Sequence, residues 1–383
     1  MNRLIAILLC LTPLWALAQG SSDDNARLVQ RGLQLVQAKR YAQAVECFTQ
    51  AAQRGDAVAQ SNLGVCYFNG EGVPANKPEA VRWYTLSARQ GHAKAQYDLA
   101  MCYFAGEGVA KDVGEACHWF RRAAEQGHGQ AQFALGNAYL HGEGVAQMPD
   151  SAVAWYRLAA NQHVPEAQYN LAQCYRTGTG VTADSTMAFT LYRQAAEMGH
   201  AQAQANTALG SWARGDTAQA FGWWNKAAQQ GVSEAQLSLS HCYAQGLGTV
   251  PDTAQAMRWL RESARRGLAQ AEFELGVALY PHDSQKAAGW YRLAADQGHR
   301  EAMFNLALCY YYGAGVARDL AKAFALYQQS AVAGYVPAMF NLALCYGKGE
   351  GTEANGQEAL HWLREASAHG DDTATRLLRQ WGQ

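Results

Sequence analysis

The stretch from Ala93 to Gly127, AKAQYDLAMCYFAGEGVAKDVGEACHWFRRAAEQG, decides how this chain folds. Ala95, Leu99, Cys102 and Tyr103 recur at i, i+4, i+7 and i+8, the spacing that lays one buried stripe along a helix. Gly106-Glu107-Gly108-Val109 follows. Its two glycines suit the positive backbone angles of a helix end and a tight turn, so the chain reverses there. Asp112 then stands at an N-cap position with Glu115 three residues on, a capping box that opens a second helix. Ala116, Phe120, Ala123 and Ala124 form the buried face of that helix, and Gly127 closes it. Small residues at Ala95, Ala100, Ala116 and Ala123 let the two axes approach, while Leu99, Tyr103, Trp119 and Phe120 fill the space between them. One such pair leaves a side bare, so neighbouring copies must cover it.

Copies run almost from end to end. Gly55, Gly91, Gly127, His163 and Gly199 close units 36 residues apart, and the same interval separates Gly231 from Gly267 and Gly298 from Gly334 and Gly370. Units 200–231 and 268–298 are shortened to 32 and 31 residues and lack the Gly-x-Gly loop, but keep their second-helix pairs Trp223-Trp224 and Trp290-Tyr291. His163 stands where other units have glycine, which predicts a strained turn there. Residues 24–55 read as a shorter helix pair that starts the stack, and residues 371–383 as a single helix, with Leu377, Leu378 and Trp381, that covers its last open face.

The pattern A-x-x-x-L-[GA]-x-x-Y-x-x-G-x-G-V followed by A-x-x-W-Y-x-x-A-A-x-x-G resembles the Sel1-like repeat, a relative of the tetratricopeptide repeat with a longer loop; the turn Lys39–Ala44 looks like that of an ordinary tetratricopeptide unit. The resemblance implies an all-α fold: an α-solenoid of about ten stacked antiparallel helix pairs wound as a right-handed superhelix, and a role in protein–protein assembly. The domain plan expected is a signal peptide over 1–18, a tetratricopeptide-like starting pair over 19–55, nine Sel1-like repeats over 56–370 and a C-terminal capping helix over 371–383.

Met1–Ala18 carries Arg3, the apolar run Leu4–Leu9 and the A-x-A site Ala16-Leu17-Ala18, the composition of a cleaved signal peptide, so a periplasmic or secreted mature chain starting at Gln19 is expected. Bulky Leu9 before Cys10 argues against lipidation there. No later stretch approaches the roughly 20 apolar residues of a membrane span. The chain has 31 Lys and Arg against 32 Asp and Glu, with no basic stripe. Nucleic acid and anionic membranes, which require clustered positive charge, are excluded as expected partners.

Cys66, Cys102, Cys174, Cys242, Cys309 and Cys345 occupy one position of successive first helices, where Ala138 and Ala278 stand in other units. Stacked helices lie about 8–10 Å apart, beyond the roughly 7 Å reach of a disulfide, so buried free thiols are expected. Only Cys47 and Cys117, on second helices, have a first-helix cysteine such as Cys66 or Cys102 within conceivable reach. His92, His128, His200 and His299 follow unit-closing residues and read as surface turn residues. There is no H-E-x-x-H, C-x-x-C, G-x-S-x-G or G-x-x-x-x-G-K-[ST], so no metal, no cofactor and no catalysis are expected. Some secreted Sel1-like proteins are linked to β-lactam binding or hydrolysis, but no S-x-x-K occurs here.

First helices line the concave surface in tetratricopeptide-like solenoids, as the resemblance implies. One residue before the buried leucine position come Asn62, Asp98, Ala134, Asn170, Asn206, Ser238, Glu274, Asn305 and Asn341. Asparagine is a mediocre helix former, so its return needs a reason. An amide row can hold an extended peptide backbone, as related tetratricopeptide proteins do; the other reading is a bond to a neighbouring unit, or plain inheritance of a copied residue. One residue earlier stand Tyr97, Phe133, Tyr169, Phe273, Phe304 and Phe340, which either flank a bound peptide or pack between units. The expected function is a non-catalytic, monomeric adaptor of the cell envelope that binds a protein or extended peptide. The alternatives are a secreted virulence-type factor that binds a host protein and an envelope enzyme acting on β-lactams.

Overall fold

The computed structural model describes residues 12–380, with side chains from residue 23 onward. The leader expected over Met1–Ala18 and the capping residue Trp381 lie outside the residues whose side chains are described. Among the described residues there are 21 α-helices and no strand. The chain divides into two compact units, residues 1–200 and 201–383.

The first unit holds α1 (Thr12–Gln37), α2 (Tyr41–Gln53), α3 (Ala57–Asn69), α4 (Lys77–Arg89), α5 (Ala93–Ala105), α6 (Val113–Glu125), α7 (Gly129–His141), α8 (Pro149–Asn161), α9 (Pro165–Thr177) and α10 (Ser185–Glu197). The second holds α11 (Ala201–Ala213), α12 (Thr217–Gln229), α13 (Ser233–Gln245), α14 (Thr253–Arg265), α15 (Ala269–Leu279), α16 (Ser284–Asp296), α17 (Arg300–Tyr312), α18 (Leu320–Val332), α19 (Val336–Lys348), α20 (Gly356–Ala368) and α21 (Asp372–Gln380). Within each unit every odd-numbered helix packs on the even one that follows, and each even helix packs on the next odd one. The result is an all-α repeat solenoid.

The expected punctuation forms. Asp112 Oδ1 accepts from the Glu115 amide at 3.0 Å, and Gly106 ends α5 in the left-handed region at φ +74°. The second loop glycine has a further duty. A Cβ on Gly108 would stand 2.4 Å from the Lys77 carbonyl oxygen, so the loop lies backbone to backbone on the start of the preceding second helix. His163 adopts φ +60°, the left-handed conformation its position predicts. Ala59, Ala95, Ala131 and Ala302 are wholly buried between helices, beside Leu63, Leu99 and Leu135. Ala374 and Leu378 of α21 pack into the core of the last two pairs. The eight cysteines with described side chains are buried and free.

The histidines after the unit-closing residues correct the sequence reading. They are half-buried N-caps: Nδ1 of His92, His128 and His299 accepts from the amides of Ala95, Ala131 and Ala302 at 3.3, 3.2 and 3.3 Å. The carboxylate of Asp56 does the same work at the equivalent position, accepting from Ala59 at 2.8 Å. The rings of His128, His200 and His299 stack on Tyr97, Tyr169 and Phe273, with centroids 4.8, 4.6 and 4.7 Å apart. Burial holds the pKa of all four histidines below the ordinary value.

A row of buried glutamines binds pair to pair. Gln60, Gln96, Gln132 and Gln168 donate to the carbonyls of Ala52, Ala88, Ala124 and Ala160 at the end of the preceding second helix. In three of these the side-chain oxygen accepts from the next second-helix end: Gln90 to Gln60, Gln126 to Gln96 and Gln162 to Gln132, at 2.7–2.8 Å. Each of these amides thus joins two successive second helices to the first helix between them and meets its own bonding needs in a dry site.

Candidate functional site

The asparagine row is half-buried, and four of its positions, at Asp98, Asn170, Asn305 and Asn341, stand opposite a tyrosine on the preceding second helix. Asn170 Nδ2 reaches Asn137 Oδ1 at 3.0 Å and the Tyr156 hydroxyl at 3.4 Å, while that hydroxyl donates to Asn137 Oδ1 at 2.6 Å. Asn305 stands opposite Tyr291 and Asn341 opposite Tyr327, each amide drawing the hydroxyl's pKa down against burial. Burial pushes the Tyr291 hydroxyl up to about 12, against the bond from Asn305. Asp98 occupies this position opposite Tyr84, whose pKa burial raises first and the Asp98 charge second. Where phenylalanine precedes, the amide turns on its own helix: Asn62 donates to the Val58 carbonyl at 2.9 Å.

This pairing has a signature in the sequence. Tyr84, Tyr156, Tyr291 and Tyr327 each stand 14 residues before Asp98, Asn170, Asn305 and Asn341. Phe120, Trp224 and Leu260 precede Ala134, Ser238 and Glu274. Glu274 instead accepts from His241 at 2.7 Å and from Gln270 at 2.8 Å. Burial pushes the Glu274 carboxyl up, but these two bonds outweigh it and hold the pKa below the ordinary value.

The aromatic row lies in the seams between pairs. Tyr97 packs on Phe120, Phe133 on Tyr156, Tyr169 on Tyr192, Phe273 on Tyr291 and Phe304 on Tyr327, with centroids 5.7–6.2 Å apart. Phe340 packs against the core of the last two pairs. These rings remain half-exposed, so each offers an edge beside its asparagine neighbour.

Large exposed apolar side chains occupy two other positions, two and five residues past the leucine position. Met101 and Phe104 on α5 are each 39 % exposed, Leu209 and Trp212 on α11 are 54 % and 39 %, and Val277 at the same register of α15 is 46 %. Tyr280, just past the end of α15, completes the third pair. Sequence reading passed over these residues, although each is an apolar residue off the buried stripe of its own helix.

In the first unit this face opens into a cleft of about 240 Å³ between α5 and α7. Tyr97, Met101 and Phe104 form one wall and Phe133, Ala134 and Asn137 the other. Among the described residues no three His, Cys, Asp or Glu side chains converge as metal ligands, and no helix is long and apolar enough to cross a membrane.

Ten segments match the Sel1 repeat, at residues 28–56, 57–92, 93–128, 129–164, 165–200, 201–232, 233–268, 269–299, 300–335 and 336–371. Among solved structures, a protective antigen of uropathogenic Escherichia coli with an SLR fold is similar at 33 % identity and a TM-score of 0.82, over 93 % of this chain and 79 % of that one. A Sel1 repeat protein from Oxalobacter formigenes is similar at 32 % identity and a TM-score of 0.57, over 62 % of this chain and 99 % of that one. Comparison with the curated proteins finds no match.

Proposed function

The chain belongs to the Sel1 repeat family, whose repeats generally mediate protein–protein interaction, and from that premise we propose that it is a non-catalytic adaptor that binds a protein or extended peptide across its first-helix faces. The observation that carries the reading is the recurrence of exposed apolar pairs at one register, Met101 with Phe104, Leu209 with Trp212 and Val277 with Tyr280. Side chains of this size left in water at a repeated position are what a docking face presents. The amide and aromatic rows beside them supply hydrogen bonds and ring edges: Asn62, Asp98, Asn170, Asn206, Glu274, Asn305 and Asn341 flank the contact strip, with the Tyr97 to Phe340 rings next to them. The leader-like Met1–Ala18 supports an envelope location.

Capture from envelope extracts tests the adaptor. Wild-type chain is compared with a variant carrying serine at Leu209, Trp212, Val277 and Tyr280. The same proteins captured by both, at equal yield and equal Tm, would remove the first-helix face from the proposal. Intact mass of the mature protein tests the location, since a chain retaining Met1 contradicts cleavage after Ala18. The similarity to a protective antigen of uropathogenic Escherichia coli favours, as a second reading, a surface exposed outside the cell, which protease accessibility on intact cells decides.

A further inference from the structure

The α5–α7 cleft is a seam whose counterpart between α17 and α19 is more nearly filled. In the seam between α17 and α19, Asn341 faces Tyr327, Cys345 lies buried beside it, and the Tyr311 hydroxyl donates to the loop carboxylate of Glu350 at 2.7 Å. That seam leaves a cavity of only about 140 Å³. Between α5 and α7 each filling group is smaller or absent. Ala134 replaces the asparagine, Ala138 the cysteine, Phe120 the tyrosine, and Phe104 stands where Tyr311 would donate. The loop carboxylate remains, as Glu143.

Glu143 lacks the donors that Glu107 and Glu350 have. Glu107, one repeat earlier, takes the Lys77 ammonium at 2.9 Å, but the residue equivalent to Lys77 is Val113. The Glu143 main-chain carbonyl accepts from Cys117 Sγ at 3.2 Å, while its exposed carboxylate has no ion pair or hydrogen bond among the described residues. The nearby cations are otherwise engaged: Arg121 bonds the Tyr139 hydroxyl at 2.7 Å, and Lys111 lies over the Phe104 ring at 5.9 Å. Tyr97, Phe104, Phe120 and Phe133 line the cleft with rings, whose faces attract cations. At about 240 Å³ the cleft is smaller than the roughly 300–1,000 Å³ of small-molecule sites and suits a single long side chain.

We propose that the α5–α7 cleft takes one basic side chain, arginine or lysine, of a partner segment, its aliphatic stem between the aromatic walls and its charged head on the Glu143 carboxylate. This rests on the adaptor reading and gives it a specificity: an extended segment with a basic residue at the point where it crosses α5 and α7. The long stem matches the apolar walls and the head supplies the donor that Lys77 and Tyr311 supply in the sister seams.

A random peptide phage library panned on the full chain, followed by affinity measurement of the enriched peptides, tests it. Enriched peptides are expected to share an arginine or lysine. Replacing that residue by norleucine should weaken binding to wild type roughly tenfold, the scale of one charge-assisted bond, and change little on Glu143→Gln. Ala134→Asn, which restores the residue of the sister seams, should also weaken binding roughly tenfold at unchanged Tm. If that variant loses stability, the exposed Glu143→Gln decides alone. Enriched peptides with a shared apolar residue and no basic one would overturn the proposal. So would peptides indifferent to Glu143→Gln but lost with Leu209→Asp and Trp212→Asp, an outcome that leaves the adaptor standing. No enrichment on any face would overturn both.

Discussion

If the asparagine row braces the stack, its energetics should be coupled to the buried tyrosines, and the Tyr156 site allows the coupling to be worked out. Tyr156 is wholly buried, and its hydroxyl has one acceptor, Asn137 Oδ1 at 2.6 Å. Asn170 Nδ2 donates to the same oxygen at 3.0 Å. Tyr156→Phe removes the hydroxyl but leaves Asn137 bonded to Asn170, so it should cost about 1 kcal/mol, the net worth of one hydrogen bond. Asn137→Ala removes the acceptor and strands the hydroxyl proton in a dry site, and should cost about 2–3 kcal/mol. On the Tyr156→Phe background the same alanine loses only its bond to Asn170, about 1 kcal/mol. The expected coupling is therefore at least about 1 kcal/mol, well above the roughly 0.3–0.5 kcal/mol within which independent sites add. A repeat array need not unfold in one step, so protection of the α8 and α9 amides from hydrogen exchange is the assay, not a single urea midpoint. Asn62→Ala is the control. Asn62 bonds only its own helix, and alanine is the better helix former by roughly half a kcal/mol, so stability should hold or rise. Additive costs at Tyr156 and Asn137 would refute the brace.

Three further outcomes follow from the same geometry. Gln96→Ala removes its bonds to the Ala88 carbonyl and from the Gln126 amide, which keep their other partners, and should cost about 1 kcal/mol per bond lost; Gln96→Met, the residue of that register at Met303 and Met339, should cost less because it keeps the volume, as hydrogen exchange of both will show. The eight buried cysteines should all alkylate in denaturant without reductant and resist it when native, since burial raises the Cys66, Cys242, Cys309 and Cys345 thiols to about 11 and Cys102 to about 12; a mass showing disulfides would contradict the fold. The N-cap histidines should make stability fall on acidification. Their native pKa is depressed by burial, so below about 6.5 the unfolded chain binds more protons and ΔG of unfolding drops. His241, raised by its bond to Glu274, contributes with the opposite sign and loses its stabilisation as pH rises. His92→Asp, which installs the residue found at Asp56, should flatten the profile of Tm between pH values of about 7 and 5; an unchanged slope would show that His92 does not titrate as a cap.

Helix pairs, loops, glycine ends, the buried cysteine register and the closing helix were legible because each rests on local rules. A 3.6-residue period, a positive φ and an N-cap oxygen are all stated within a few neighbouring residues. What was illegible depends on how one helix meets the next. The fate of Asn170 is decided by Tyr156, on another helix, and the amide alone reads equally well as a groove contact. Nothing in the repeat pattern singles out Gln96; it is buried because two partners, one from each adjoining second helix, meet its amide at once. His128 reads as a turn residue because histidine is not among the usual capping residues, yet its Nδ1 falls where a carboxylate oxygen would.

The copies themselves supply the missing information, because each seam is a substituted version of its neighbours. Every tyrosine at this position is followed 14 residues on by asparagine or aspartate, whereas Phe120 is followed by Ala134. Two residues that change together across copies of one unit are expected to touch, and here they do. By the same comparison a seam that has lost several fillers without gaining others is the place to look for an outside occupant. Ala134, Ala138, Phe120 and Val113 are four such losses around one cleft. Among the described residues no side chain donates to the Glu143 carboxylate, so a partner's basic side chain fits this seam and not the one in which Tyr311 donates to Glu350.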